Sequence, residues 1–241
     1  ELIYYPSGLV AEKIEEFEAS TATTSWHRNG QIKQVRTVPK TKPQQASSPE
    51  QVSAYWDSTG HQQIIAGVGR VTYHTRVQST DDIDQTKVLL EEGAYQNGYK
   101  QGVWRGQYED GSYGYEEQYE KGICQTGKAW SVGGAATQYT VVQQPPEFVG
   151  GMQALGQFLS QNLQYPQEAV RARAQGKVFV SFVINADGAV ENVQVLKGMG
   201  YGADEEAVRV VKKTNGHWKP GVQRGQKVKV KYNLPINFNI S

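Results

Sequence analysis

From Lys227 to Ile240 the chain alternates without a break. Val228, Val230, Tyr232, Leu234, Ile236, Phe238 and Ile240 fall on one face of an extended segment, and Lys227, Lys229, Lys231, Asn233, Pro235, Asn237 and Asn239 on the other. One face is core and the other is wet. These fourteen residues, at roughly 3.3 Å each, reach about 46 Å, farther than the return strand of the hairpin upstream. Pro235 also lacks the donor that a centrally paired strand needs. The pattern therefore predicts that part of this strand lies at an open sheet edge.

Upstream the period changes. Met152, Leu155, Phe158, Leu159 and Leu163 fall at helical spacing and predict an amphipathic helix. Pro166 is expected at the first position of a second helix, Gln167 to Ala174, stopped by Gly176. Val178, Val180, Phe182 and Ile184 alternate strictly, Asp187-Gly188 reads as a turn, and Val193 and Val195 read as the return strand, which together predict a hairpin. A third helix is expected from Asp204 to Thr214. Its first turn holds Glu205 and Glu206 and its last holds Lys212 and Lys213, an order that suits the helix dipole, and Asn215-Gly216 ends it.

Before residue 141 the pattern is different again. An aromatic residue recurs shortly before a glycine in Tyr5 to Gly8, Trp26 to Gly30, Trp56 to Gly60, Tyr95 to Gly98, Tyr108 to Gly111 and Tyr119 to Gly122. This degenerate repeat predicts a chain of hairpins. Asn-Gly and Asp-Gly supply the positive φ of tight turns, and the aromatic packs across the strand pair. The stretches Pro39 to Glu50 and Ser79 to Gln85 are polar enough to be longer loops. The boundary between the two textures is placed at Tyr139 to Pro146, giving domains 1–140 and 141–241.

Composition supports the division. Residues 1–140 carry 13 basic and 17 acidic side chains, net −4, and the remainder 12 and 7, net +5, which sum to the overall +1. That balance offers no global field for nucleic acid. The single cysteine, Cys124, excludes an internal disulfide or a multi-thiolate metal site and reads as a small half-buried residue. A start without Met that already reads as strand and turn suggests an exported chain whose signal peptide has been removed.

The segments Tyr4-Tyr5-Pro6-Ser7-Gly8, Trp26 to Lys33 and Glu92 to Trp104 resemble variant MORN repeats of bacterial exported proteins. That resemblance spans most of residues 3–130, is strongest over 92–130, and implies an extended antiparallel sheet with no enzymatic activity. Pro146-Glu147-Phe148-Val149-Gly150-Gly151-Met152, Tyr165-Pro166, Gly176-Lys177-Val178, Asp187-Gly188, Glu205-Glu206-Ala207, Trp218-Lys219-Pro220-Gly221 and Leu234-Pro235-Ile236-Asn237-Phe238 are similar to the TonB carboxy-terminal domain family over 146–240. This second resemblance implies two or three helices on a three-stranded antiparallel sheet and a peptide of an outer-membrane transporter bound along the sheet edge. The fold class expected is therefore mainly β, then α+β.

Carried over by position, the resemblance implies that the pairing edge is the strand Val228 to Phe238, with Val228, Lys229, Val230, Lys231, Tyr232 and Leu234 as partner-binding residues and Tyr165 and Pro166 beside it. An open edge presents unpaired N–H and C=O groups on which an extended peptide adds as a further strand. Packing of Tyr165 under the sheet is an equal alternative, and Trp218 reads as a core or turn anchor. The membrane helix and Pro-rich spacer of an energy-transducing TonB protein are absent from these residues, which favours a periplasmic or outer-membrane-associated docking protein. Two alternatives stand beside it: self-assembly through exposed sheet edges, and a peptidoglycan adaptor using Lys227, Lys229, Lys231 and Asn233.

No catalytic constellation, metal site or cofactor is expected. His27, His61, His74 and His217 show no metal-ligand spacing. Asp81, Asp82 and Asp84 lack the glycine and distal glutamate of a calcium loop. Gly67-Val68-Gly69 and Gly198 to Gly202 read as turns, and no GxSxG elbow is present.

Overall fold

A computed structural model describes residues 1–40, 49–78 and 85–239. The described residues form two compact units: Glu1–Val77 with Lys87–Val141 belong to the first, and residues from Val142 onward to the second.

The first unit is a meander. Strands β1 (Leu2–Tyr4), β2 (Val10–Glu16), β3 (Ser20–Trp26), β4 (Ile32–Pro39), β5 (Gln51–Trp56), β6 (Gln62–Ile65), β7 (Val68–Gln78), β8 (Thr86–Gln96), β9 (Tyr99–Tyr108), β10 (Tyr113–Glu120), β11 (Ile123–Ser131) and β12 (Thr137–Tyr139) follow one another in a single 12-stranded sheet, in sequence order. The six glycines of the aromatic-glycine repeat all stand at hairpin turns, with φ between 71° and 89°. Four of them close the turn by donating an N–H back to Tyr5, His27, Asp57 or Tyr108.

Alternate side chains of the sheet face inward. Val52, Ile64, Val71, Tyr95, Trp104 and Tyr119, one from each of six consecutive strands, form a single buried cluster. The rings of Tyr95 and Trp104 meet edge to face at 5.1 Å, so the aromatic before the turn packs across the strand pair as expected. The second half of this arrangement is not expected from the repeat. Gly106 lies directly opposite Tyr115, and Gly127 directly opposite Tyr139. A Cβ on Gly106 would lie 2.1 Å from ring atoms of Tyr115, and one on Gly127 2.4 Å from those of Tyr139. Each ring fills the volume that its glycine leaves empty. The same face buries Glu117, whose carboxylate accepts the hydroxyls of Tyr119 and Tyr139 at 3.1 and 2.8 Å.

The second unit is α+β. It comprises β13 (Gln143–Gln144), β14 (Glu147–Phe148), α1 (Gly151–Asn162), α2 (Gln167–Arg171), β15 (Gly176–Ile184), β16 (Val190–Lys197), α3 (Ala203–Lys213), β17 (Trp218–Lys219), β18 (Gly221–Gln223), β19 (Gln226–Val228) and β20 (Val230–Phe238). Three small antiparallel sheets result, ordered β16-β15-β20, β13-β18-β19 and β14-β17. Val178, Val180, Phe182 and Ile184 of β15 and Leu234, Ile236 and Phe238 of β20 turn one face to α1 and α3, where Leu155, Ala207, Val210 and Val211 complete the core. Trp218 is buried there as an anchor, its indole donating to Thr214 Oγ1 at 2.9 Å.

Three local expectations need correction. Pro166 caps α2 from outside the helix, with ψ of 140°, and its carbonyl accepts the Val170 N–H at 3.0 Å. The chain leaves that helix at Arg173, with φ of 49°, so Gly176 is the first residue of β15 and not a helix stop. The carboxy-terminal ribbon is two strands, broken at Lys229. The two-residue turn at Arg224 and Gly225, both at positive φ, folds Gln226–Val228 back onto β18. Alternation continues through the break because it reports which face is wet, not which strand is the neighbour. Of the expected loops Pro39 to Glu50 and Ser79 to Gln85, residues 41–48 and 79–84, with the acidic triplet Asp81, Asp82 and Asp84, lie outside the described residues, as does Ile240, and Pro39 is the last residue of β4.

Candidate functional site

β20 is the terminal strand of its sheet. All nine of its residues pair with β15, from Gly176 opposite Phe238 to Ile184 opposite Val230, with no bulge. No strand pairs along its other side among the described residues. Its burial alternates as the sequence predicts: Lys231, Asn233, Pro235 and Asn237 are exposed, and Leu234, Ile236 and Phe238 are buried.

Which backbone groups face outward follows from the hairpin at the far end of β15. The Asn185 N–H donates to the Ala189 carbonyl, on the side of β16. In an antiparallel ladder a residue directs both of its backbone groups to the same neighbour, and the next residue directs them to the other. Odd-numbered residues of β15 therefore face β16, and even-numbered ones face β20. Opposite Ile184, Phe182 and Val180 stand Val230, Tyr232 and Leu234, so these three commit their backbone groups to β15. The outward groups belong to Lys231, Asn233, Pro235 and Asn237. Pro235, which has no N–H, thus costs the β15 ladder nothing, the usual condition for proline in a strand.

The eight residues singled out from sequence are distributed along this strand and beyond it. Val228 is in β19, opposite Gly221, and Lys229 is the link between the two strands. Val230 is half-buried, and its Cγ2 lies 2.5 Å from where a Cβ on Gly221 would stand. Tyr232 is half-buried against Phe182 and Trp218, with ring centroids 5.6 and 5.1 Å away. Leu234 is a core residue, 5% exposed. Tyr165 packs its ring edge-on against Phe238 at 5.7 Å and donates its hydroxyl to the Ala174 carbonyl at 2.5 Å. Pro166 touches the space above Gly202 at the start of α3. Tyr165 and Pro166 therefore stand at the Phe238 end of β20, and Lys229 to Lys231 at the other, about 27 Å away along a nine-residue strand at ~3.4 Å per step.

Of the residues chosen from sequence, Lys231 alone has both outward backbone groups and an exposed side chain. Asn233, placed by the sequence on the wet face as a possible peptidoglycan contact, and Asn237, within the same expected edge strand, share those properties. The signal that finds them is the parity of Pro235, because residues an even number of places from a tolerated strand proline share its open side.

The loop beneath this edge is tied down by charge. The Glu206 carboxylate accepts the Gln164 N–H at 2.6 Å and a forked pair of bonds from Arg209 at 2.6 and 2.7 Å. Burial works to raise its pKa, but the Arg209 fork and the Gln164 N–H outweigh burial and hold it below the ordinary carboxylate value. Among the described residues no cluster of three or more His, Cys, Asp or Glu could hold a metal ion. Of the two Gly-rich stretches, Gly67, Gly200 and Gly202 stand at positive φ in connections between elements, whereas Gly69 lies within β7 and Gly198 follows β16 without a positive φ.

Residues 161–240 match the family described as Gram-negative bacterial TonB protein C-terminal. The matched segment begins inside α1 and takes in β15, β16, α3 and β20. No curated protein and no solved structure matches the chain.

Proposed function

We propose that the second unit is a non-enzymatic docking module of the Gram-negative envelope, which receives an extended segment of an outer-membrane transporter or complex as a further strand beside β20. The observation that carries this reading is the free side of β20, where Lys231, Asn233 and Asn237 each offer an N–H and a carbonyl, and Pro235 a carbonyl. Up to seven hydrogen bonds follow, at about 1 kcal/mol net each, which suits a reversible contact. The family match over residues 161–240 supports the envelope setting and an outer-membrane partner. Variant MORN repeats in the first unit, and an exported location for the whole chain, belong to the same reading.

The side chains that specify the partner are the exposed ones. Leu234, Ile236 and Phe238 are sealed in the core. A partner strand is instead read on the wet face, where Lys231 and Asn233 project, and at the Phe238 end, where Tyr165 and Pro166 border it. Site-specific photo-crosslinking in an envelope fraction tests this. A crosslinker at Asn233 is expected to form an adduct with an outer-membrane protein that one at Lys212, on α3, does not form. Equal adducts from both positions, or none from Asn233 in a folded protein, would overturn the reading.

Self-assembly through edges is a second reading, favoured by β1. This terminal strand of the 12-stranded sheet exposes Leu2, Ile3 and Tyr4 by 48, 40 and 55%. Light scattering over a concentration series separates the two, since docking of a foreign strand predicts a constant mass for the isolated chain.

A further inference from the structure

The face of the 12-stranded sheet opposite its aromatic core carries an exposed tryptophan, Trp130. Leu90 stands opposite Gln107, Gln107 opposite Gly114, and Gly114 opposite Trp130, so all four lie on one face. The Trp130 indole is seated over Gly114, where a Cβ would come within 3.0 Å of Cε2 and Cζ2. Yet Trp130 is 37% exposed. Trp104 and Trp218 each donate their indole N–H to the protein, whereas that of Trp130, like those of the half-buried Trp26 and Trp56, has no partner among the described residues.

Beside this ring is a hollow of about 290 Å³, whose rim includes Leu90, Glu92, Arg105 and Gln107. The Glu92 and Gln107 side chains bond to no other described residue, and Arg105 engages Glu116 through Nε alone. The hollow shares Thr72 and Glu92 with a second of about 340 Å³ on one side. On the other side the cross-strand ladder of Arg105, Glu116 and Lys128 leads into a third of about 750 Å³, lined by Gln118, Thr126 and Gln138. The track runs from β6 to β12, six strand spacings of about 4.8 Å or roughly 29 Å in all.

We propose that this face binds an unbranched, uncharged polysaccharide chain, with one sugar ring stacked on Trp130. The chemistry of the track selects that class. A sugar ring offers a flat C–H face to an indole and a rim of hydroxyls to planar polar groups, and Glu92, Gln107 and Arg105 line the same hollow with such groups. Arg70, Arg105 and Lys128 nearly balance the carboxylates Glu91, Glu92, Glu116 and Glu117 along the track, which gives a polyanion or polycation little attraction. Trp130 and the exposed Val103, set apart along the track, also make too small an apolar centre for a folded protein partner. The proposal is independent of strand docking at β20.

Calorimetry on the full chain with cellohexaose and chitohexaose tests it. One of the two hexasaccharides is expected to bind. Trp130→Ala is expected to weaken that binding about fivefold to tenfold, the weight of one aromatic stacking contact, with an unchanged circular dichroism spectrum. Should Trp130→Ala fail to fold, Glu92→Gln on the exposed rim provides a milder variant with the same direction of effect. Asn233→Pro, which alters the β20 edge, is expected to leave saccharide affinity unchanged. Absence of binding by either sugar at millimolar concentration, or affinity indifferent to both track variants, would overturn the proposal.

Discussion

A glycine within a strand ordinarily weakens it, because it packs nothing and loses the most backbone freedom. Gly106 and Gly127 reverse that argument, since the rings of Tyr115 and Tyr139 occupy the space above them. Gly106→Ala is therefore expected to destabilise the protein by about 1–3 kcal/mol, the cost of forcing a methyl into a filled site. A denaturation midpoint equal to that of the wild type would contradict the packing described. Two aspartates make a second residue-level case. The Thr59 hydroxyl, with backbone N–H groups of Thr59 and His61, holds the Asp57 carboxyl down to about 2, and the Ser112 hydroxyl and N–H do the same for Asp110. Because both are depressed, their contribution to stability is complete above the ordinary carboxylate value of about 3.9 and is lost as pH falls through about 2. Carboxyl NMR titration should find both midpoints near 2, and midpoints near 4 would contradict the turn geometry.

At the scale of elements, the α1–α2 loop hangs on Glu206. Its lowered pKa means that the tie is complete above the ordinary carboxylate value and fades as pH falls through the lowered one. Glu206→Ala removes charged partners from Arg209 and from the Gln164 N–H, at a cost of about 2–3 kcal/mol by thermal or chemical unfolding. A loss below measurement would show that the loop is held by packing alone. The elements themselves were largely legible in the sequence. Positive φ at Gly8, Gly30 and Gly60 is a local demand of hairpin turns, and the alternation of β15 and β20 states which face is buried. What stayed illegible was non-local. Nothing local distinguishes Val228, which pairs with β18, from Val230, which pairs with β15. The cross-strand match of Gly106 with Tyr115 likewise depends on register, which only the assembled sheet defines. The same limit explains the site: Tyr165 and Pro166 were grouped with Lys229 by sequence, and the fold sets them at opposite ends of one strand.

At the scale of the molecule, a long antiparallel sheet and a small α+β unit each leave a surface uncommitted. In the second unit that surface is a strand edge, and its free donors number three because Pro235 withholds a fourth. Asn233→Pro removes one more donor on the side away from β15. It should preserve the fold and weaken partner binding about fivefold, the equivalent of one net hydrogen bond. An unchanged affinity would place the partner elsewhere. The most direct measurement is backbone amide exchange along β20 by NMR, in the free protein and with a bound outer-membrane partner. The amides of Val230, Tyr232, Leu234, Ile236 and Phe238 should be protected in both states, and those of Lys231, Asn233 and Asn237 should exchange freely alone and become slow only in the complex. Protection of Lys231, Asn233 and Asn237 already in the free protein, or fast exchange that persists in the complex, would contradict strand docking at this edge.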